Sequence, residues 1–336
     1  LALDTKQSEI SFEDFVDKEF IFFSKYDCER NIANVMDGLK TSQRKILYSA
    51  FKRKLTNEIK VAQFAGYVSE HSLYHHGEMS LNNTIVGMAQ EFVGSNNINM
   101  LMPNGQFGTR LQGGKDSASE RYIYTLLNPL TSSLFIDNDQ YVLDYLDDDG
   151  TMVEPEFYAP VIPMILVNGC KGIGTGFSTD VLSYNPLDLV QYLKRKLSTL
   201  NTSGIELSPY YEGFTGKIVK LGENRYLIKG NYEIIKVDII RVTELPIGVW
   251  TEDFKTNLEK LMETTDKKGK KIKPVVKDYN DMSTDTQVDF TIHLHAGMLD
   301  KLEGKLVPTY NNECNDLEKH LKMVVTKTTS NMHLFD

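Results

Sequence analysis

The chain has 336 residues, of which 41% are apolar and 10% aromatic, enough for about two domains with hydrophobic cores and too many for a disordered polymer. Its formal charge of −9 argues against a uniformly basic nucleic-acid-binding protein, because phosphate binding depends on cationic side chains. No apolar run reaches the roughly 18 residues that a membrane helix needs, and the N-terminus lacks the pattern of a signal peptide. We therefore expect a soluble protein that is not exported and has no membrane partner.

The three cysteines, Cys28, Cys170 and Cys314, are odd in number and far apart. Their spacing predicts neither a disulfide framework nor a zinc site and is typical of a reducing compartment. The sequence begins at Leu1 without a methionine and ends at Asp336 directly after apolar residues. We expect it to be an excised piece of a longer polypeptide.

Charge is segregated along the chain. Residues 31–60 contain seven Lys plus Arg against two acids, whereas residues 131–160 contain eight acids and no Lys or Arg. This separation suits a protein with one phosphate-facing surface and one solvated acidic surface, although a stretch of ordinary basic helix would also produce it.

Helices are predicted at the beginning of the chain. A capping pattern at Ser11 predicts the first helix, and apolar residues then recur at helical spacing. A second helix is predicted from its cap Thr41 onward, with the apolar side chains in one stripe and Arg44 and Lys45 on the other side. A third helix is predicted after the segment 74–78.

A β-hairpin is predicted after these helices. Residues 98–102 have the pattern of a strand, 103–105 of a turn and 106–111 of a returning strand. Helices followed by a hairpin give the outline of a winged helix, whose helix-turn-helix core can place a helix in the DNA major groove. Residues 121–127 are interpreted as the start of a further helix.

The composition changes near residue 160, and strand-like runs then mix with helices, which predicts a second domain of α/β type. Helices are predicted near 187–197 and 251–262, a basic loop over 267–273, and strands over 161–167, 217–221, 226–229, 234–242 and 288–294.

Residues 104–121 combine glycines with Arg110, Lys115 and Arg121, a composition that could form a phosphate cradle. A tyrosine beside Arg121 could attack phosphorus, but a pKa near ~10 leaves only about one part in a thousand ionised at pH 7, so its activation must come from elsewhere. Helical geometry would leave Tyr122 and Tyr124 on opposite flanks, and periodicity does not choose between them.

The pair His75-His76 precedes the third helix. Imidazole nitrogens can donate hydrogen bonds to a phosphate or shuttle a proton, which makes this pair a candidate for either task. Its spacing from Glu78 is not the i, i+4 layout of a zinc protease helix. Metal binding and a purely structural role remain alternatives.

The glycine-rich segment 169–176 follows an apolar run and has some features of a dinucleotide-binding loop. No helix is predicted directly after it, and it contains no Gly-Lys-Ser/Thr sequence, so nucleotide binding is not favoured. Ile173 lies between two glycines in this segment. It is either an apolar wedge offered to a base step, a device that kinks DNA, or a buried turn residue.

Together these segments resemble the breakage and reunion region of type IIA DNA topoisomerases, of the eukaryotic and large-DNA-virus kind. The resemblance runs in family order through the first half of the chain and continues more weakly through the second. The matching segments are Glu29-Arg30, Asp37-Gly38-Leu39-Lys40, Ser42-Gln43-Arg44-Lys45, Lys60-Val61-Ala62-Gln63, Tyr74-His75-His76-Gly77-Glu78, Phe92-Val93-Gly94-Ser95-Asn96-Asn97, Gly105-Gln106-Phe107-Gly108-Thr109-Arg110, Gly114-Lys115-Asp116, Arg121-Tyr122 and Gly172-Ile173-Gly174-Thr175-Gly176.

The resemblance implies roles for individual residues. Tyr122 corresponds to the nucleophile that forms a 5′-phosphotyrosine bond, and Arg121 to the guanidinium that steadies the scissile phosphate. His76 corresponds to the histidine beside the scissile region, and Ile173 to the wedge that bends the duplex. The further residues expected to contact DNA are Arg30, Lys40, Arg44, Lys45, Lys60, His75 and Lys115.

The fold that the resemblance implies is α+β, with a winged-helix cleavage domain over residues 1–161 and an α/β tower domain over 162–336. The implied activity is ATP-dependent passage of double-stranded DNA by a homodimer, located in the nucleus or, for a viral protein, in host cytoplasm or virion. Mg²⁺ and ATP would bind to domains outside this chain, with no metal site within it. We therefore expect the chain to bind and bend duplex DNA without cleaving it unaided.

One residue departs from the family pattern, and two other functions remain open. Glu120 places a carboxylate where the family usually has proline or a small or apolar residue, so it either weakens phosphate affinity or points to solvent. A non-catalytic winged-helix DNA-binding protein is the alternative to the enzyme, and covalent DNA capture dependent on Tyr122 would decide between them. Saturable ATP binding would support nucleotide binding at Gly169 to Gly176.

Overall fold

The computed structural model describes residues 9–199, 202–265, 271 and 273–335 and combines helices with antiparallel β-sheets, which confirms the α+β class. The helices are α1 (Phe12–Phe15), α2 (Ile21–Asn31), α3 (Thr41–Arg53), α4 (Val61–Ser72), α5 (Glu78–Ala89), α6 (Pro129–Leu134), α7 (Met164–Asn168), α8 (Pro186–Thr199), α9 (Thr251–Met262), α10 (Met298–Glu303) and α11 (Asp316–His320). The strands are β1 (Ile59–Lys60), β2 (Leu101–Asn104), β3 (Tyr124–Leu127), β4 (Tyr145–Asp148), β5 (Thr151–Pro155), β6 (Cys170–Gly174), β7 (Phe177–Val181), β8 (Lys217–Gly222), β9 (Arg225–Lys229), β10 (Asn231–Lys236), β11 (Ile239–Glu244), β12 (Val276–Asp281), β13 (Phe290–Leu294) and β14 (Val324–Thr328).

The first helix is nearly continuous from α1 to α2, joined by a π-helical turn over Val16–Phe20. Its start is as predicted, because the Ser11 hydroxyl accepts a hydrogen bond from the backbone N–H of Asp14 at 3.0 Å. Its phenylalanines lie on the surface of the described chain, whereas Cys28 in α2 is buried.

The helices α3, α4 and α5 pack on one another and on a three-stranded sheet of order β1-β3-β2, the arrangement of a winged helix. In α3 the predicted apolar stripe is buried at Ile46, Leu47 and Ala50. The N-cap of α3 is Lys40 rather than the predicted Thr41. Sequence patterns do not predict α4, which lies along the chain between the second and third predicted helices.

The wing of this sheet differs from the predicted hairpin. Strand β2 pairs with β3, so that Leu101 lies opposite Leu127 and Asn104 opposite Tyr124. Residues 106–111 form no strand, and the prediction of a returning strand there is wrong. The wing is therefore formed by two strands that are distant in the sequence, and residues 105–123 connect them.

The second half contains two larger sheets, of order β10-β11-β13-β12 and β14-β9-β8, together with the two-stranded hairpin β6–β7. The predicted strands at 217–221, 226–229 and 288–294 and the predicted helices at 187–197 and 251–262 are confirmed, with small shifts of their ends. Residues 161–167 contribute to α7 instead of a strand, and 234–242 form two paired strands instead of one. The predicted basic loop at 267–273 lies mostly outside the described residues.

The two large hydrophobic cores only partly match the predicted division of the chain at residue 161. The first core begins at Leu39 and continues past residue 161 to Tyr226, whereas the second is built from residues between Ile240 and Met323. Burial therefore does not separate the chain at residue 161, and the domain boundary there stays a prediction. No helix in the described ranges has the length and apolar character needed to cross a bilayer.

Candidate nucleic-acid interface

Tyr122 lies at the exposed end of the wing. Arg121 and Tyr122 form a turn and Tyr124–Leu127 form strand β3, in place of the predicted helix. Ile123 and Thr125 are buried, whereas Tyr122 is 76% and Tyr124 36% exposed. Both tyrosines therefore lie on the surface, and helical flanks no longer distinguish them.

The surroundings of the two tyrosines differ. The Tyr122 hydroxyl has no hydrogen-bond partner among the residues that the structure describes, and only its backbone N–H is bonded, to the carbonyl of Ser119 at 2.9 Å. The ring of Tyr124 lies under the ammonium group of Lys60, 5.9 Å from the ring centroid. Tyr122 therefore offers a free phenol to a ligand that approaches from solvent.

Arg121 and Glu120 flank this phenol. The Arg121 side chain is exposed, and its Nε lies 3.9 Å from a carboxylate oxygen of Glu120. The Glu120 side chain is only 23% exposed and does not simply point to solvent. Its negative charge competes with any phosphate for Arg121, at a distance where an exposed pair is worth about 0–1 kcal/mol.

Not all cations of the predicted phosphate cradle are exposed. Arg110 is buried and pairs with Glu244, and the neighbouring Thr109 donates its N–H and hydroxyl to Asp116 at 2.9 and 2.5 Å. Lys115 is exposed. The loop is thus held by internal polar contacts, and a cradle at this site has Lys115 and Arg121 as its exposed cations.

The prediction that Arg44 faces away from the core is wrong. Arg44 is 6% exposed and Asp37 0%, and the guanidinium donates Nε to Asp37 Oδ2 at 2.7 Å and a terminal nitrogen to Oδ1 at 3.1 Å. The same carboxylate accepts the backbone N–H groups of Leu39 and Tyr158. Asp37 thus joins Arg44 of α3 to a distant segment near residue 158.

Lys45 is also neutralised. Its ammonium donates to Glu154 at 2.8 Å and to the carbonyl of Ser72 at 2.5 Å. Glu154 lies on β5, and its side chain is almost fully buried. Because both charges have partners, Lys45 ties α3 to α4 and β5.

His76 lies between α2 and the start of α5. Its Nε2 shares a hydrogen bond of 2.7 Å with the hydroxyl of Tyr26, and its ring meets Tyr74 edge to face at 5.4 Å. Burial, followed by the positive charges of Arg30, His75 and Lys45, lowers the pKa of His76 below its ordinary value near 6.5. The imidazole is therefore neutral at pH 7 and can accept a proton.

His75 faces the acidic hairpin β4–β5. Its Nε2 lies 3.1 Å from Asp148 Oδ2, and most of the imidazole is exposed. A phosphate that approached His75 would therefore compete with this carboxylate.

Ile173 lies near the tip of the hairpin β6–β7 and is 74% exposed, so the alternative of a buried turn residue is wrong. Two glycines explain its position: a Cβ at Gly172 would lie 2.1 Å from the carbonyl oxygen of Asn31, and one at Gly174 would lie 2.9 Å from Cys28 Sγ. The hairpin thus lies flat against α2 and presents Ile173 outward. No helix follows the segment directly, which agrees with the rejection of a dinucleotide loop.

Other contacts link several predicted site residues through α2. Asp27 accepts a hydrogen bond from the Thr175 hydroxyl at 2.7 Å, and Lys40 donates to the carbonyl of Lys171 at 2.8 Å. With Tyr26 on His76 and Arg30 acting on the same imidazole, α2 joins the hairpin of Ile173 to the histidine pair. Lys60, Tyr124 and Tyr122 form a separate group on the wing.

Sequence reasoning missed Tyr26, Asp37 and Glu154. Tyr26 is one helical turn before Arg30, and this i, i+4 spacing could have indicated that both act on one site. No local signal indicated Glu154 as the partner of Lys45, because the two residues are 109 positions apart in the sequence. Within the described ranges, no three His, Cys, Asp or Glu side chains come together as a metal site.

Comparison with known proteins gives consistent matches. The family model of DNA gyrase/topoisomerase IV matches residues 30–336. The chain is 47% identical to DNA topoisomerase 2 top-2 of Caenorhabditis elegans over 328 residues, which are 97% of the chain and 21% of that protein. It is 48% identical to DNA topoisomerase 2 of Arabidopsis thaliana over 340 residues, 99% of the chain and 22% of that protein.

A solved structure matches over the whole chain. The crystal structure of the Plasmodium falciparum topoisomerase II DNA-binding, cleavage and re-ligation domain superposes with a TM-score of 0.87 and 46% identity, covering 100% of this chain and 43% of that one. The chain spans about a fifth of the length of the Caenorhabditis and Arabidopsis relatives.

Proposed function

The chain belongs to the type IIA DNA topoisomerase family, and on that premise we propose that it is the DNA-binding and cleavage region of an enzyme that passes one DNA duplex through another. The observation that carries this proposal is the exposed Tyr122 with the exposed Arg121 beside it. A phenol in this position is open to a backbone phosphate, and a guanidinium suits phosphate oxygens.

The proposed reaction is a reversible transesterification. The Tyr122 oxygen attacks a backbone phosphorus, the new bond is a 5′-phosphotyrosine, and the bond from phosphorus to the 3′ oxygen breaks to release a 3′-hydroxyl. The phenolic proton leaves as this bond forms, and the departing 3′ oxygen gains a proton to become the hydroxyl. Attack by the 3′-hydroxyl on the phosphotyrosine restores both the DNA and the tyrosine, without a new source of energy.

The DNA surface that we propose contains the exposed or partly exposed members of the predicted set. Arg121 holds the scissile phosphate. The neutral His76 lies beside this phosphate and either donates a hydrogen bond to it or accepts a proton. Ile173 enters a base step and bends the duplex. The other backbone contacts are Arg30, Lys40, Lys60, His75 and Lys115. Arg44 and Lys45 are paired inside the protein, so their proposed task is to hold this surface in shape.

Mg²⁺ would polarise the phosphoryl group and stabilise the departing oxygen in such a reaction. The described residues form no ligand set for it, so no step proposed for this chain passes through the metal. We propose that Mg²⁺ and ATP act in the full-length protein through segments outside these 336 residues. On this proposal the isolated chain binds and bends duplex DNA and forms no covalent complex.

The remaining proposals concern the whole protein. We propose a homodimer as its working form, residues 1–161 as its winged-helix region and 162–336 as its tower. The Caenorhabditis and Arabidopsis relatives are eukaryotic, which favours the nucleus over a virion as the location. Double-stranded DNA is the proposed substrate.

Covalent capture of DNA tests the proposed function. In the full-length protein with Mg²⁺, we expect Tyr122→Phe to abolish covalent DNA capture while duplex affinity changes less than about threefold. The matched control is Tyr124→Phe, which removes an exposed phenol two residues away and should leave capture intact. Capture that persisted in Tyr122→Phe would favour the non-catalytic DNA-binding protein or another nucleophile.

A further inference from the structure

A cleft of about 980 Å³ opens beside Tyr124 at the end of α3 and brings three cations that the proposed site does not use next to Lys60, which it does use. It lies between the last turn of α3, strand β1 and the side of α4 that carries Gln63, Tyr67 and Glu70. Its charged lining residues are Lys52, Arg53, Lys54 and Lys60, with the acids Glu58 and Glu70. The four cations outnumber the two acids in this cleft.

The acids in the cleft have other partners. Glu58 accepts a hydrogen bond from Asn104 at 2.5 Å, and Glu70 lies 3.8 Å from His71. Across the described part of the chain, no carboxylate lies within 4.0 Å of the charged nitrogens of the four cations. The positive charge of the cleft is therefore not neutralised inside the protein.

Aromatic rings hold three of these cations in place. Lys52 lies over the Tyr48 ring at 5.3 Å and Arg53 over the Tyr67 ring at 4.9 Å, as Lys60 does over Tyr124. A ring face attracts a cation without accepting its N–H groups in the way a carboxylate does. Lys52 gives one N–H to the Tyr48 hydroxyl at 3.2 Å, and its ammonium keeps two more. These donors remain free for an anion.

The cleft adjoins the strand that follows Tyr122. Lys60 and Tyr124 line the cleft and are register partners in β1 and β3, and side chains of directly paired residues point to the same face of a sheet. Tyr122 is two residues before Tyr124, so their Cα atoms lie at most about 7 Å apart. Base pairs rise about 3.4 Å each, so this separation corresponds to about two base pairs of duplex.

From this arrangement we infer that the cleft binds backbone phosphates of the duplex next to the scissile phosphate, with Lys52, Arg53 and Lys54 as contacts beyond those already proposed. The inference rests on the proposed function, since Tyr122 fixes where the scissile phosphate lies. The ligand is the sugar-phosphate backbone and not the bases, because ammonium and guanidinium groups on a shallow cleft recognise phosphate charge.

The chain offers a matched control for this inference. Residues 194–196 repeat the sequence Lys-Arg-Lys of residues 52–54, are all exposed on α8, and include a lysine that lies over a tyrosine ring at 6.0 Å. We compare full-length protein carrying Lys52→Gln, Arg53→Gln and Lys54→Gln with protein carrying the same three changes at Lys194, Arg195 and Lys196. Both variants lose equal net charge.

The measurement is the salt dependence of affinity for a duplex labelled with fluorescein. Each lost phosphate contact lowers the slope of log K against log salt by about 0.9, so the 52–54 variant should lose about 2.7. Between 50 and 200 mM salt, wild-type affinity should then fall about 40-fold further than that of the variant. The 194–196 variant should lose less than about 1.

Two outcomes would overturn the inference. The first is an equal slope of log K against log salt for both variants. The second is an unchanged slope in the 52–54 variant together with lost binding of a poly-glutamate peptide, which would make the cleft a protein-binding site. Covalent capture by Tyr122 at saturating DNA is measured in parallel. Wild type that binds and captures DNA beside an unchanged 52–54 slope refutes only the cleft, whereas wild type that neither binds nor captures DNA refutes the proposed function.

Discussion

The candidate interface is built from two kinds of region, a buried frame and exposed tips. The frame consists of the ion pairs Arg44 with Asp37 and Lys45 with Glu154, which lie inside the protein. The tips are Tyr122 and Ile173, which are 76% and 74% exposed. Both regions carry residues to which the family resemblance assigns DNA contact, but of the two only the tips are open to a duplex.

This difference separates stability from function. A buried charge that loses its partner is strongly destabilising, because no water replaces the lost interaction. An exposed side chain contributes little to folding, so its substitution leaves stability nearly unchanged. Substitutions in the frame should therefore act on folding, and substitutions at the tips on DNA.

The largest expected effect comes from the frame. Asp37→Ala should lower the free energy of unfolding by about 3–5 kcal/mol, because it leaves the Arg44 guanidinium buried and two backbone N–H groups unpaired. Urea unfolding of the chain measures this change. Adding Arg44→Leu should recover part of the loss.

An exposed pair of the same geometry is the control. Arg241 donates Nε and a terminal nitrogen to Asp289 at 2.9 and 2.8 Å, as Arg44 does to Asp37, but on the surface. Asp289→Ala should cost only about 0.2–1 kcal/mol. Similar losses for Asp37→Ala and Asp289→Ala would remove the distinction between frame and tips.

An intermediate effect is expected at His76, which is partly buried. Because its pKa is lowered in the folded protein, the unfolded chain binds a proton that the folded chain does not once the pH falls below about 6.5. Stability from this group is complete above that pH and is lost as the pH falls. His76→Gln should therefore flatten the decrease in unfolding free energy between pH 7.5 and 5.5.

The His76 resonance gives a second readout. An NMR titration should place its midpoint below 6.5, and Tyr26→Phe should move the midpoint by removing the hydroxyl at 2.7 Å. A midpoint above 6.5, or an acid sensitivity unchanged by His76→Gln, would contradict the environment described for this imidazole.

The smallest effect on folding is expected at the tip Ile173. Ile173→Ala should change the free energy of unfolding by less than about 0.5 kcal/mol, because the side chain is mostly solvated. It should still reduce DNA bending, measured by energy transfer between dyes at the ends of a duplex. Equal bending by wild type and variant would show that Ile173 is not the wedge.

Local patterns predicted much of the fold. The capped first helix, the stripe of α3, the helices α8 and α9 and several strands of the second half all follow from spacing along the chain. The exposed position of Ile173 is one of the two alternatives, exposed wedge or buried turn residue, that the sequence leaves open. For the helices, the deciding contacts lie within a few residues along the chain.

The errors arise where distant residues decide the structure. The segment 121–127 has apolar residues that fit a helical period, yet it forms β3 because β1 and β2 pair with it on both sides. Residues 234–242 form two strands because Asp238 turns the chain in the left-handed region at φ 55°, without a glycine to indicate the turn. The burial of Arg44 likewise depends on Asp37 and on Tyr158, which is 121 residues from Asp37.

The central claim is that Tyr122, and no other tyrosine of the wing, becomes joined to DNA. The most direct test traps the covalent complex of the full-length protein with Mg²⁺, digests both protein and DNA, and locates the nucleotide adduct by mass spectrometry. We predict the adduct on the phenolic oxygen of Tyr122. An adduct on Tyr124 or on any other residue would contradict this assignment.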